Sequence, residues 1–451
     1  MTMKKRFTRV IFLLLALVLV AGCSLSAFAA DQNAQNKPFE VTSKSIKKSY
    51  EIAVAYDNSG SMYGAGNSRW YQAKYAMEIF ASMLNFSDGD KLVIFPMHQV
   101  TTGDNTLVDR IEVKSVADID KVHNMYTPSA GGTPYSVVTT AHSYLKTSQA
   151  DVKWLVVLTD GSFSGVSNLQ NELEKLARGN IFVRYIPFGG VVLDDKDPKD
   201  NFYASPSVNG DDQLQSELIN SCNQIFQRDE LKGRLNGQSL TLDLSMKKVI
   251  VFVQGNGASV TALKDSSGKE IKKLSDSKSR SYSDKGTGGS SQLPDELKNR
   301  NGQVVMFDAC PKGEYTLEYA NADKIQIFYE PDVTMRIKFV NDDGVMADFA
   351  GGKIEAGTYT YSVEVVDSVT GEDVTNHELL GGNVTVNDKV TYGDGREVDL
   401  QNGSQVTFDP STNVNFDIEV EYLGKYKLSL KDISDINFDN IEIPSICKAF
   451  R

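Results

Sequence analysis

Histidine and cysteine are scarce in this chain, at four of each in 451 residues. There is no C-x-x-C pair and no Cys/His cluster, which excludes the common zinc frameworks. Cys222, Cys310 and Cys447, with Cys23 if it is retained, leave two readings: a Cys222–Cys310 bridge, or buried free thiols, the blander of the two. No G-x-S-x-G elbow exists around which a serine hydrolase could be built. His98, His123, His142 and His377 stand in unrelated segments. The chain therefore does not read as an enzyme. The apolar run Val10–Ala21 is too short to span a bilayer. Positive charge is in deficit, with 47 Lys and Arg against 59 Asp and Glu. Residues 1–30 hold four of those basic residues and no acidic one, so the remainder carries 43 against 59, a net charge of −16. Such a balance argues against nucleic acid or an anionic membrane surface as partner.

What is present begins with a leader. Lys4, Lys5, Arg6 and Arg9 precede the Val10–Ala21 run, the layout of a secretory signal peptide over residues 1–30. Two exits compete. Ala27-Phe28-Ala29 suits ordinary signal peptidase, and Val20-Ala21-Gly22-Cys23 resembles a bacterial lipobox that leaves Cys23 lipidated. Either exit places the protein outside the cytoplasm, secreted or lipid-anchored at the cell surface, with membrane contact only through that anchor. Residues 31–48 are polar and read as a linker.

From Tyr50 the pattern is β-α-β. Ile52–Tyr56 is a continuous apolar run of the buried parallel-strand kind, and it stops at Asp57-Asn58-Ser59-Gly60-Ser61. Trp154–Leu158 ends likewise in Thr159-Asp160-Gly161-Ser162. Between them lies Gly131-Gly132-Thr133-Pro134, with Thr133 expected as an N-cap and Pro134 as the first helical residue. A carboxylate and two hydroxyls beyond a buried strand form a hard-oxygen set of the kind Mg²⁺ prefers, with Asp57 expected to face solvent or an ion. Trp70, Ala73, Met77, Phe80 and Leu84 form one apolar helix stripe. Further helices are expected at 116–125, 134–145, 169–176 and 214–225, and further strands at 91–97 and 181–188. The acidic loop Asp194–Asp200 reads as a solvated turn. Alternation at these lengths predicts a doubly wound α/β sheet over residues 49–231.

Asp57, Ser59, Ser61, Thr133 and Asp160 together resemble the metal-ion-dependent adhesion site (MIDAS) of von Willebrand factor type A (VWA) domains, D-x-S-x-S followed by a Thr and an Asp. The resemblance implies a Rossmann-like fold and a bound Mg²⁺, with Mn²⁺ or Ca²⁺ as substitutes. It also implies three hydroxyls touching the ion, two aspartates acting through water, and a partner protein that offers an acidic residue. Past Leu231 the pattern turns to short period-2 segments. It predicts a β-sandwich over 236–331, interrupted by a polar insert from Ser275 to Ser291, and a second all-β domain over 332–430. In the latter, Gly357–Tyr361 followed by Asp367–Gly371 resembles bacterial immunoglobulin-like surface repeats. Residues 431–451 form a tail, either the end of the protein or the start of further repeats or an anchor. The function expected is adhesion or protein binding. The alternative is a structural component of a cell-envelope assembly in which the metal only stabilises.

Overall fold

A computed structural model describes residues 41–42 and 48–430, apart from 65–67, 104–105, 129–130, 196–200, 280, 283–290, 345–348, 351–352, 355–356, 383, 393, 409–413 and 423–425. The leader, the tail, Cys23, Cys447 and most of the Asp194–Asp200 loop lie outside the described residues. The chain divides into two compact units, residues 46–332 and a second made of the chain before 46 and after 332.

The first unit is built on a six-stranded sheet. Its strands are β1 (Tyr50–Tyr56), β2 (Lys91–Pro96), β3 (Ile111–Val113), β4 (Val152–Thr159), β5 (Ile181–Pro187) and β6 (Phe202–Ala204). They run in the order 3-2-1-4-5-6, all parallel except the antiparallel edge β3. This is the doubly wound order, and its direction reverses between β1 and β4. Alternation explains the unbroken apolar run of β1. Ile52, Val54 and Tyr56 face one core with α1 (Arg69–Ser82) and α4 (Asp211–Phe226). Ala53 and Ala55 face the other core, with α2 (Ser136–Thr147) and α3 (Leu169–Leu176). The edge strands β3 and β6 carry too few residues for a period to show in the sequence.

Three local expectations change. Helix α2 begins at Ser136 with Tyr135 at its N-cap, so Thr133 caps nothing. The Thr133 carbonyl instead accepts from Ser164 N–H at 2.9 Å, drawing residues 131–134 across towards the β4 loop. Helix α1 is no stripe, since every residue from Trp70 to Ser82 is buried. Finally, the start of the polar insert, from Ser275, belongs to an edge strand, Lys273–Ser279.

The second and third changes have one cause. Residues 229–331 form two antiparallel sheets. One has five strands, ordered Asp229–Glu230, Lys324–Pro331, Met246–Gly255, Asn301–Phe307 and Lys273–Ser279; the other has four, ordered Leu235–Asn236, Ser239–Leu242, Gly313–Ala320 and Ser259–Asp265. The change of pattern near Leu231 falls within one compact unit, because the five-stranded sheet shares the α1 core through Ile250, Phe252, Val304 and Phe328. A Cβ on Gly302 would stand 3.0 Å from Ile79 Cδ1 and from Tyr75 Oη, so glycine permits the close approach. Polar groups trapped at this seam find partners. Tyr75 Oη donates to Gln254 Oε1 at 3.0 Å, and Arg228 donates to the Met83 carbonyl at 2.6 Å and pairs with Glu330 at 2.7 Å. Lys74 donates to the Met125 carbonyl at 2.9 Å beneath the rings of Trp70, Tyr71 and Tyr282, and burial pulls its ammonium down to about 7. Cys222 and Cys310 are both free and buried, so the bridge does not form.

The second unit holds two four-stranded antiparallel sheets. One is ordered Val41–Thr42, Val333–Val340, Gly357–Asp367 and Gln405–Phe408; the other is Glu397–Leu400, Thr385–Tyr392, Val414–Tyr422 and Tyr426–Leu430. Met335, Ile337 and Phe339 are buried at period two, as an antiparallel sheet with one covered face requires. Val41 of the expected linker pairs with Ile337.

Asp90 ties the starts of two parallel strands together. Its carboxylate accepts from Asn85 N–H at 3.0 Å and from Tyr50 N–H at 3.3 Å. Burial pushes this carboxyl up to about 6, against the pull of the two backbone donors, Arg228 and Lys248. The fold therefore favours the protonated form, and the stability Asp90 contributes falls as pH rises from about 4 to about 6. Between pH 7 and pH 5 wild type should gain about 1 kcal/mol relative to Asp90→Asn, which has no proton to bind. Calorimetric melts of both proteins at the two pH values check this.

Candidate metal centre

The direction reversal between β1 and β4 brings their carboxyl ends side by side, the place where doubly wound sheets leave a crevice. Asp57 follows β1 and Asp160 follows β4. Asp57 is fully buried, so of the two expected environments, solvent or an ion, the first is excluded. Its Oδ1 accepts from Ser59 N–H at 2.8 Å; its Oδ2 accepts from the Thr159 hydroxyl at 2.6 Å and from Asp160 N–H at 3.3 Å. One carboxylate thus ties both loops together. Burial raises its pKa, opposed by the Ser59 and Thr159 hydrogen bonds. An acid disfavoured in its charged form by desolvation gains when a cation comes near.

Ser59 occupies the N-cap of the helical turn Gly60–Tyr63, yet its side chain makes no cap bond. Its Oγ lies 3.0 Å from Ser61 Oγ instead, and Ser61 Oγ donates to Asp160 Oδ1 at 2.7 Å. An octahedral ion with oxygens at about 2.1 Å has neighbouring ligands about 3.0 Å apart, the serine spacing seen here. Thr133 arrives on the third loop. The Gly131 carbonyl accepts from Gly60 N–H at 2.9 Å, and the Thr133 hydroxyl lies 3.5 Å from where a Cβ on Gly161 would be. Asp57, Ser59, Ser61 and Asp160 are therefore joined by direct hydrogen bonds, and Thr133 is carried alongside them by backbone contacts. Ser61 is the exposed member, so the group opens to solvent there. Among the described residues no three His, Cys, Asp or Glu side chains gather as metal ligands. The donor set here mixes two carboxylates with three hydroxyls, hard oxygens that fit Mg²⁺ or Mn²⁺.

Three further residues build the site. Thr159, the last residue of β4, supplies the shortest bond to Asp57, and a hydroxyl directly before Asp160 was its sequence signal. Arg69, at the start of α1, pairs with Asp160 Oδ2 at 2.6 Å, and nothing local marks it out from other helix-start cations. Asn58 is fully buried. Its side chain accepts from His98 N–H at 2.9 Å and donates to the His98 carbonyl at 2.8 Å and to Thr127 Oγ1 at 3.0 Å. His98 Nε2 in turn bonds the Gly132 carbonyl at 2.7 Å, so Asn58 fixes the loop that supports Thr133. Asn58→Ala strips partners from buried groups and should cost about 2 to 3 kcal/mol, read as a lowered denaturation midpoint with an unchanged m-value.

No protein-family model and no curated protein sequence matches the chain. Solved structures do. A von Willebrand factor type A protein from Catenulispora acidiphila is 15% identical, over 76% of this chain and 72% of its own, at a TM-score of 0.28. The pilus adhesin SpaC from Lactobacillus rhamnosus GG is 11% identical, over 88% of this chain and 70% of its own, also at 0.28. The ArnB paralog VWA2 from Sulfolobus acidocaldarius is 11% identical, over 82% and 68%, again at 0.28. TM-scores this low leave the reading of the site to rest on its own geometry. The structural neighbours of this chain include VWA domain proteins and a bacterial pilus adhesin.

Proposed function

We propose that the chain is an extracytoplasmic binding protein that captures an acidic residue of a partner protein at a divalent-ion site formed by Asp57, Ser59, Ser61, Thr133 and Asp160. The convergence of hydroxyls and carboxylates from three loops at the switch point of the sheet carries this reading, above all the uncapping Ser59 held 3.0 Å from Ser61. An Mg²⁺ ion there supplies an electrophilic position open to a carboxylate. Ser59, Ser61 and Thr133 hold it through neutral oxygens, which leaves its charge available to an incoming anion. Asp57 and Asp160 orient the hydroxyls. The leader and the acidic balance favour a secreted or lipid-anchored protein at the cell surface that has no nucleic-acid partner and is not an enzyme. The second β-rich region is immunoglobulin-like in this reading.

A second reading has its own support. Each carboxylate oxygen of Asp57 and Asp160 already accepts a hydrogen bond from the chain, so an ion could serve only to brace an envelope component.

Thermal melts test the metal. A ligand held only by the native state adds ~2.7 kcal/mol at a hundred times Kd, about 5 °C or more for a unit of this size. Wild type should gain that increment with Mn²⁺ or Mg²⁺ and lose it with EDTA. Ser61→Ala and Thr133→Ala should gain less. Absence of any metal-dependent shift in wild type overturns the proposal. Partner proteins retained from envelope extracts and released by EDTA support capture, whereas retention indifferent to EDTA favours the bracing role.

A further inference from the structure

We propose that Arg69 is a tethered cation that competes with the divalent ion for Asp160 and so sets the ion concentration at which the site loads. The inference rests on the metal reading above.

Arg69 Nη1 lies 2.6 Å from Asp160 Oδ2, the oxygen that Ser61 does not take. The Asp160 side chain is fully buried and that of Arg69 is 36% exposed. One partner is enclosed, and the other stands at the edge of the site, partly open to solvent. The guanidinium has a shaped resting place. Its Cζ stands 5.8 Å from the centre of the Phe188 ring, and a Cβ on Gly189, at φ +72°, would come within 3.1 Å of Nη2. Glycine at that position serves the arginine as well as the turn.

The charges give the sign of the effect. Asp57 and Asp160 bring two negative charges to the crevice and the hydroxyls bring none, so Arg69 neutralises half of the charge that attracts a cation. A dication added beside a paired Arg69 meets a like charge at short range in a partly buried site, where such repulsion is several-fold stronger than in water. It also meets an Asp160 whose lone pairs are committed to a charge-assisted bond. Ion and guanidinium therefore compete for the negative charge of Asp160, whether the ion meets that carboxylate directly or through water. Arginine never deprotonates in proteins, so the competition persists at every working pH.

The test is calorimetric titration of Mn²⁺ into the full chain as wild type, Arg69→Gln and Arg69→Lys, with melts in EDTA alongside. Arg69→Gln should bind Mn²⁺ at least about tenfold more tightly than wild type. Arg69→Lys, which keeps the charge but loses the planar fork, should fall between them. In EDTA the Gln variant should melt lower than wild type, since Asp160 has lost its counter-charge. A purely orienting role for Arg69 predicts weaker binding in the Gln variant. Equal or weaker binding in Arg69→Gln overturns the inference while leaving the metal site standing. Absence of Mn²⁺ binding in all three proteins overturns both. Binding by Arg69→Gln alone supports both.

Discussion

A carboxylate fully buried at the end of a central strand has to be satisfied by its surroundings, and at Asp57 that demand organises the crevice. The Ser59 amide, the Thr159 hydroxyl and the Asp160 amide all turn towards it. Two loops separated by a hundred residues are held in register as a result. The Ser59 hydroxyl, which makes no capping bond, meets that of Ser61, and Ser61 in turn bonds Asp160. Asp57 is thus a tie within the protein before it is anything to a metal.

The same economy of buried polar groups governs the seam between the α/β sheet and the five-stranded sheet. Helix α1 carries Gln72, Lys74 and Glu78, which a solvated helix would turn outwards. Here Glu78 meets His123 at 3.1 Å and also bonds Tyr282, while Lys74 reaches a carbonyl. Buried ionic groups of this kind contribute little net stability compared with apolar replacements, yet they penalise any other docking of the two surfaces. The shared apolar core makes one compact unit where the sequence pattern suggests two domains, and these polar groups are satisfied within it.

Much of the α/β fold is legible because its central strands are buried on both faces and so appear as apolar runs ending in Asp57 and Asp160. The helix at 69–82 is legible in extent but not in environment. Trp70, Ala73, Met77 and Phe80 are buried as read, but the rest of the helix is covered too, and the polar types Gln72, Lys74 and Glu78 hide that second face from the pattern. Lys273–Ser279 escapes notice for the complementary reason, since an edge strand needs no apolar face. The five ligand candidates are readable as a pattern of residue types. Arg69 and Asn58 are not, because their importance comes from the partners that folding brings to them.

The pairing of Val41 with Ile337 has a topological consequence. The chain leaves the sheet of the second unit after Thr42 and rejoins it at Val333, and Thr42 pairs with Arg336, so residues 43–335 form a loop closed by backbone pairing. Closing a loop of that length costs several times RT in configurational entropy, growing only logarithmically with its size. While that short antiparallel pairing holds, tension carried between Val41 and Val340 crosses it directly and bypasses the long loop.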